Sequence, residues 1–571
     1  MGRSILNTAV DCFFASLTES KKLFSHLKGD LFGGVTAAVV ALPLALAFGV
    51  SSGAGALAGL YGAIFAGALA AVLGGTRVQV TGPTGPMTVV MALVVTHFHD
   101  NLSAAFAVVI LAGFIQVLFG LAGIGRYIRL VPYPVVSGFM SGIGVIIIIL
   151  QIPALLGQSA EGSILSILSQ IPQLSTTTNI GSLTIGVAII LIMFFAPAAL
   201  ARIIPKPLIA LIAGSLVVGL FSIPVPLIGA IPTGVPTIIL PEFNLSDVET
   251  IIRFALVLAF LGSIDSLLTS LVADSITRTE HNSNRELIGQ GIGNMTAGFF
   301  GGLPSAGATM RTLVNVRAGG KSSLSGLIHS ILLLAVVFGF DELVSHIPLA
   351  VLAGILVKVG IDIIDWHSLR RMNKIPRADL AIMLVTLILT ILVDLMTAFA
   401  VGFVMASVMF VSKMAEVQIS NAKIFTKASQ IEFANKEETA ILDQFNHYIA
   451  LLHLEGPLSF GSARDIARLL NSNTTTEILI LDLSDVPFID SSATTVLHEV
   501  VERLNGEGDT VLIFGVRESV RQTMVQTGIW EQLGEKNIFD HRLEALEQAR
   551  RLLLLSSNSQ KAGKAGDSIS R

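Results

Sequence analysis

A chain of 571 residues with 52% hydrophobic and only 13% charged residues, and a mean hydropathy of +0.76, is not an ordinary soluble protein, which carries about a quarter of its residues charged. The formal charge of −4 gives no sign of nucleic-acid binding, and a lone cysteine, Cys12, excludes an intramolecular disulfide framework. The 53 glycines point to close helix packing and interrupted helices, both commoner in lipid than in water.

Residues 1–30 are mixed polar and amphipathic without a small-residue cleavage site, so they read as a cytoplasmic segment and the first apolar helix as the insertion signal. Apolar segments then crowd a transmembrane domain at 31–412. They fall at 31–50, 54–73, 85–97, 103–122, 132–151, 180–199, 207–222, 251–273, 286–300, 308–317, 323–340, 347–362, 378–393 and 395–412. These fourteen predict an α-helical membrane protein of 14 transmembrane segments, although several fall short of the ~20 residues of a full crossing. With a cytoplasmic N-terminus, the inner loops and their edges carry Arg77, Arg126, Arg129, Arg202, Lys206, Arg278, Arg285, Arg317, Lys321, Arg370, Arg371, Lys374 and Arg377. The long outer loops 152–179 and 223–250 contain neither Lys nor Arg. That asymmetry is the positive-inside pattern, with Arg253 a mild exception, and it puts both termini in the cytoplasm.

Beyond a linker at 413–440 the period changes. Tyr448–Leu454, Glu477–Ser484 and Asp509–Val516 read as strands, and Ser462–Leu470, Ser491–Leu504, Glu518–Gly528 and Leu543–Leu555 as amphipathic helices. A small cytoplasmic α/β domain at 441–556 follows, then a Ser/Gly/Lys-rich tail at 557–571 expected to be disordered.

Two matched stretches carry the strongest chemical signal. Thr81-Gly-Pro-Thr84-Gly85-Pro-Met-Thr88 opens the third segment and Pro304-Ser-Ala-Gly307-Ala308-Thr309-Met-Arg311-Thr312 the tenth, each after a Gly-Gly pair. Third and tenth are equivalent if fourteen divides into two sevens, and seven being odd inverts the second half. Paired interrupted helices in corresponding places mark a midplane transporter site, because half-helix N-termini present unpaired N–H groups and partial positive charge to an anion. Either stretch alone would pass for small-residue helix packing; the pair favours a cradle.

Asp265, halfway along the eighth segment, is a costly mid-membrane carboxylate of the kind that marks ion paths, with Thr269 one turn on along the same face. Its structural alternative is a buried ion pair with Arg311. Arg311, one turn into the tenth segment, is correspondingly either that partner or an anion clamp. The His97, His99 and Asp100 cluster reads as solvated surface rather than a metal site, and Asp362, Asp365 and Asp394 as interfacial. There is no Walker A motif, no Ser-His-Asp or zinc pattern, and no cofactor is expected. In the soluble domain Asp490 would cap a helix whose first turn holds Ser491 and Ser492; capping explains these residues, and phosphorylation is the regulatory alternative.

Together these residues resemble the SulP (sulfate permease) family of anion transporters, which end in a STAS domain. The likeness runs from Gly33 to about Leu554, is most specific over Thr277–His281 and Glu286–Asn294, and includes Asp490-Ser491-Ser492 as the STAS serine loop. It implies a 7+7 inverted repeat of core and gate, a homodimer and a multi-pass place in the inner (plasma) membrane. Pro83-Thr84-Gly85-Pro86-Met87-Thr88, Asp265 with Thr269, and Gly307-Ala308-Thr309 look like the sodium-dependent bicarbonate transporters of cyanobacteria. That likeness implies sodium as coupling ion at Asp265, Thr269, Gly307, Ala308 and Thr309, and bicarbonate at Thr84, Gly85, Ala308 and Thr309, beside Arg311. Arg311 itself looks more like family members that move sulfate or dicarboxylates. The expected activity is secondary sodium–bicarbonate symport and no enzyme chemistry; sulfate or C4-dicarboxylate transport, with or without a coupled proton, and an anion channel are the alternatives.

Overall fold

The structure, a computed structural model, describes residues 26–128, 131–158, 164–197, 200, 204–229, 236–339, 344–393, 395–421, 423–425, 435–445, 447–461 and 476–567. It divides into two compact units, Met1–Ala406 and Ser407–Arg571.

The first unit contains α1 (Leu27–Ser51), α2 (Ala56–Leu73), α3 (Gly85–His97), α4 (Leu102–Leu121), α5 (Tyr133–Leu155), α6 (Ile164–Thr176), α7 (Ile180–Phe195), α8 (Lys206–Phe221), α9 (Val248–Thr277), α10 (Ser283–Phe299), α11 (Thr309–Ala318), α12 (Ser323–Gly339), α13 (Leu349–Ile363) and α14 (Arg377–Leu392). The last helix, α15 (Leu395–Asn421), runs out of it into the second unit. Each expected apolar segment falls on one of these helices. Helix α6 was not expected: residues 152–179 read as a loop, yet Ile164, Ile167, Leu168, Ile171 and Leu174 recur at helical spacing.

By length and composition six described helices suffice to cross a membrane, or seven if α11 and α12, bent by 111° at their junction, form one span. That is fewer than the fourteen segments expected, because several are short, α3 with 13 residues and α11 with 10 among them. Leu46, Leu60, Met91, Ile143 and Leu258 are fully buried, whereas Ile180, Phe195, Leu220 and Phe221 are left outside on α7 and α8. Such an apolar exterior suits lipid, and helices that pair their own backbone groups suit it too. Small residues set the closest helix contacts. A Cβ built on Gly113 of α4 would lie 2.5 Å from the Gly291 carbonyl of α10, and one on Gly291 as close to that of Gly113. Two short strands complete the unit: β1 (Thr81–Gly82) and β2 (Ala306–Gly307) pair antiparallel.

The second unit is a five-stranded sheet of β3 (Lys423–Phe425), β4 (Ile449–Glu455), β5 (Ile478–Asp485), β6 (Thr510–Phe514) and β7 (Ile538–Phe539), in that spatial order. Strand β3 runs antiparallel to β4 and the remaining pairs are parallel. Alternation buries both faces: Leu452, Leu481 and Ile513 pack with α17 (Ser491–Glu507), α18 (Glu518–Gln526) and α19 (Ile529–Leu533). Leu451, Ile480 and Leu512 pack with α16 (Lys436–Gln444) and α20 (Arg542–Asp567).

Two domain boundaries change. The stretch expected as linker, 413–440, contributes the end of α15, β3 and the start of α16, because β3 covers the edge of β4. Helix α20 continues to Asp567, into the tail expected to be disordered; Gln560, Lys561, Ala562, Lys564 and Ala565 are good helix formers and extend a ladder already nucleated by its docked first turns. The expected helix at 462–470, most of residues 1–30, and Arg129, Arg202 and Asp394 lie outside the described residues.

Candidate ion-binding site

The two interrupted helices meet. Thr84 is the N-cap of α3 and Ala308 that of α11, and just before them β1 and β2 pair Thr81 with Gly307 and Gly82 with Ala306. The Ala308 N–H donates to the Val80 carbonyl at 2.9 Å. A ladder thus ties the start of one half-helix to the start of the other, so both present their free first-turn N–H groups in one neighbourhood. Pro86 in the first turn of α3 removes a donor that would be orphaned anyway. Gly85 is buried there against Ile147 and Ile363. Thr84 occupies the cap without capping: its Oγ1 is buried and has no hydrogen-bond partner among the described residues.

Helix α9 brings oxygen to this junction. Thr269, fully buried, donates from Oγ1 to the Gly307 carbonyl at 2.8 Å and lies 2.7 Å from Thr309 Oγ1. Ser266 Oγ accepts from the Gly307 N–H at 3.0 Å. Asp265, one turn before Thr269, faces Thr84 and the field of Arg311, and its Oδ2 is buried with no partner among the described residues. Asp265, Thr269, Gly307, Thr309 and Thr84 are therefore assembled in one place. The Ala308 carbonyl, by contrast, accepts the Thr312 N–H at 2.9 Å and serves the helix. One carboxylate, two hydroxyls and a carbonyl form the hard oxygen set that a small cation takes. No cluster of three or more His, Cys, Asp or Glu that would suit a transition metal occurs among the described residues.

Arg311 is 2% exposed and makes no direct ion pair with Asp265. It reaches across the junction instead, where its Nη2 donates to the Pro83 carbonyl at 2.6 Å, while Nε and Nη1 have no partner among the described residues. Arginine carries five donors and no acceptor, so those N–H groups are left for another oxygen.

Residues not singled out in the sequence hold this junction in place. Glu286, Gln290 and Asn294 recur every fourth residue along one buried face of α10. Glu286 accepts from the Gly75 and Thr76 N–H groups and from the Gln79 and Gln290 side chains, all at 2.8 Å. Gln290 also donates to Thr81 Oγ1 at 2.6 Å, and Asn294 exchanges hydrogen bonds with the Ser305 backbone at 2.8 and 2.9 Å. The face braces both loops that lead into the half-helices. The available signal was a run of acid and amide side chains four apart in the stretch of greatest family likeness. Asp30, buried on α1, similarly accepts from the Lys321 and Ser322 N–H groups, and His329 is buried on α12.

His99 and Asp100 form an exposed pair, and Asp362 pairs with Lys358. Asp365 caps a short helix, Trp366–Arg370. Burial would raise its pKa, but hydrogen bonds from Ser137, Tyr133 and Ser368 outweigh that and hold it at about 2. In the second unit Asp490 caps α17, accepting from the Ala493 N–H at 2.7 Å, and Ser491 and Ser492 are exposed in its first turn.

Residues 27–386 match the Sulfate permease family and residues 440–545 the STAS domain. The chain belongs to the sulfate permease family. It is 41% identical over 539 residues to the bicarbonate transporter BicA of Synechocystis sp., covering 92% of this chain and 95% of that one. Against BicA of Picosynechococcus sp. the identity and coverages are the same. Among solved structures it resembles the transmembrane domain of a cyanobacterial BicA at 47% identity and a TM-score of 0.63, covering 66% of this chain and 98% of that one. It also shares the fold of SLC26A9 at 20% identity, with a TM-score of 0.81 and coverage of 98% and 96%. This member of the sulfate permease family is thus a helical, multi-pass membrane transporter of anions with a C-terminal STAS domain, in a family of transporters rather than enzymes.

Proposed function

We propose that this protein takes up bicarbonate together with sodium, by alternating access, across the inner (plasma) membrane with its STAS domain in the cytoplasm. The observation that carries the reading is the junction itself, where the unpartnered Asp265 Oδ2 stands beside the Thr269–Gly307–Thr309 oxygens and against two half-helix N-termini. Sodium held by Asp265, Thr269, Thr309 and Gly307 neutralises the carboxylate and adds positive charge next to the anion. Thr84 and the first turns of α3 and α11 bind bicarbonate, a single charge that dipoles and one cation can balance. Each ion favours the other, which is the basis of coupling. The antiparallel β1–β2 pair supports a 7+7 inverted repeat, in which α1–α5, α7 and α8 correspond to α9–α15; core and gate move against each other within a homodimer. Ser491 and Ser492 are the proposed regulatory positions on the STAS domain. The 41% identity to two proteins named bicarbonate transporters favours this anion.

A second reading rests on Arg311, whose free N–H groups would suit a dianion such as sulfate or succinate. Uptake of labelled bicarbonate, sulfate and succinate into proteoliposomes, with and without an inward sodium gradient, separates the two. Sodium-stimulated bicarbonate uptake supports the first reading. Sodium-independent uptake of a dianion, with bicarbonate excluded, rejects it, and currents without any coupling gradient would indicate a channel.

A further inference from the structure

Two isoleucines press on the start of α3 from outside the helices that build the junction. Helices α5 and α13 approach backbone to backbone: a Cβ built on Gly144 would lie 2.5 Å from the Gly360 carbonyl oxygen, and one on Gly360 2.8 Å from that of Gly144. Three residues after each glycine, and so on the same helical face, come Ile147 and Ile363. Ile147 is 3% exposed. A β-branched side chain in a helix has one strongly preferred χ1, so the close crossing also fixes where the two side chains reach.

Both reach the first residue of α3. A Cβ built on Gly85 would lie 2.7 Å from Ile147 Cδ1 and 2.8 Å from Ile363 Cδ1. The Cα–Cβ bond in a helix tilts towards its N-terminus, so the two methyl groups crowd the open end of α3 beside Thr84 rather than its flank. The unpaired first-turn N–H groups emerge at that end. Donors and acceptors come to the junction from α9, α11 and the loop before α3. Helices α5 and α13 bring methyl groups to it, which neither donate nor accept a hydrogen bond.

We propose that Ile147 and Ile363 form an apolar wall across the open end of α3 and determine which anion the site takes: a small, singly charged anion fits, and a larger or doubly charged one does not. Sulfate spreads its two charges over all its oxygens, and those turned to the wall would lose water without gaining a donor, which is costly. A singly charged anion can direct its charge at the helix N-termini and leave its least charged side to the methyl groups. By keeping water from that side, the wall also strengthens the pull of the helix dipoles. The inference rests on the reading of the junction as the anion site and adds to it the residues that select the anion.

The test is competition in proteoliposomes holding the full chain: uptake of whichever labelled anion the parent prefers, against unlabelled bicarbonate, sulfate and butyrate. Leucine and asparagine have nearly the same shape, so Ile147→Leu and Ile147→Asn differ in the amide that the latter places on the wall. The ratio of the sulfate to the bicarbonate inhibition constant should be about five-fold lower in Ile147→Asn than in Ile147→Leu, the scale of one modest hydrogen bond. Ile363→Leu and Ile363→Asn should behave alike, and they replace the first pair if it does not fold. The double variant Ile147→Val/Ile363→Val removes both δ-methyl groups. In it butyrate should inhibit about four-fold better relative to bicarbonate, the gain from burying one methylene. This mildest change decides the matter if neither Asn variant folds. An unchanged sulfate ratio in an Asn variant that folds, or no gain for butyrate in the double variant, would overturn the proposal; a merely structural role would move stability and yield and leave both ratios where they stand. Failure of the bicarbonate reading would appear separately, in which anion the parent itself transports.

Discussion

Glu286 accepts hydrogen bonds from the loop that leads into α3 and from α10 itself. Four donors converge on its carboxylate, the N–H groups of Gly75 and Thr76 on Oε2 and the amides of Gln79 and Gln290 on Oε1. Glu286→Ala strands all four. A buried donor left without an acceptor costs about 1–3 kcal/mol. The two backbone N–H groups cannot move, and the two amides recover part of their loss by rotating, so the expected destabilisation is about 3–5 kcal/mol, the range for removing one partner from a buried charged contact. Glu286→Gln should cost less, about 1–2 kcal/mol. Its amide oxygen can stay on Gly75 and Thr76 while its NH2 faces Gln79 and Gln290. Those amides must then turn, and the Ser270 and Thr81 hydroxyls, now bonded to them at 3.0 and 2.6 Å, must exchange donor and acceptor roles to follow. The assay is denaturant unfolding of purified protein in detergent, with uptake measured in parallel on the folded fraction. Stability and uptake should both fall in the order parent, Gln, Ala. Equal midpoints for the Ala and Gln variants, or an Ala variant as stable as the parent, would refute the bracing role.

Asp265→Asn should abolish sodium-gradient-driven uptake while leaving yield and assembly unchanged, and retained sodium stimulation would reject Asp265 as the cation ligand. Arg311→Gly should raise the half-saturation constant for bicarbonate about ten-fold, one charge-assisted hydrogen bond, with uptake still sodium-dependent; complete loss of bicarbonate uptake in a variant that folds would favour the dianion reading. Asp365, held at about 2 against an ordinary 3.8, stabilises the fold at pH above about 4 and loses that contribution as pH falls from about 4 towards 2. The thermal stability advantage of the parent over Asp365→Asn should therefore be constant from pH 5 to 8 and shrink below pH 4; a gap that widens on acidification would contradict the geometry. Truncation after Asn421, which removes the whole sheet including β3, should leave a folded membrane unit with unchanged anion preference, checked by competition between labelled and unlabelled anions; a switch in preference would mean that the STAS domain helps form the site.

Much of this protein was legible along the chain, because lipid imposes one-dimensional rules. Hydropathy located the apolar helices of the first unit apart from α6, since a spanning backbone must pair its own N–H and C=O groups and so reads as an apolar run. The Gly/Pro-interrupted stretches at 81–88 and 304–312 pointed to the junction, because a broken helix leaves its mark in local composition. Partnership is a three-dimensional matter and was not legible. Nothing between residues 81 and 307 announces that β1 and β2 are hydrogen-bonded, since the pair is two residues long and 223 residues separate its strands. The sequence left Arg311 open between a partner for Asp265 and an anion clamp, and the fold turns its guanidinium to the Pro83 carbonyl, a backbone group that no side-chain pattern records. Glu286, Gln290 and Asn294 keep a four-residue spacing that the sequence displays. Their role, though, comes from the loops packed against α10, and only the tertiary structure decides which donors a buried carboxylate must satisfy.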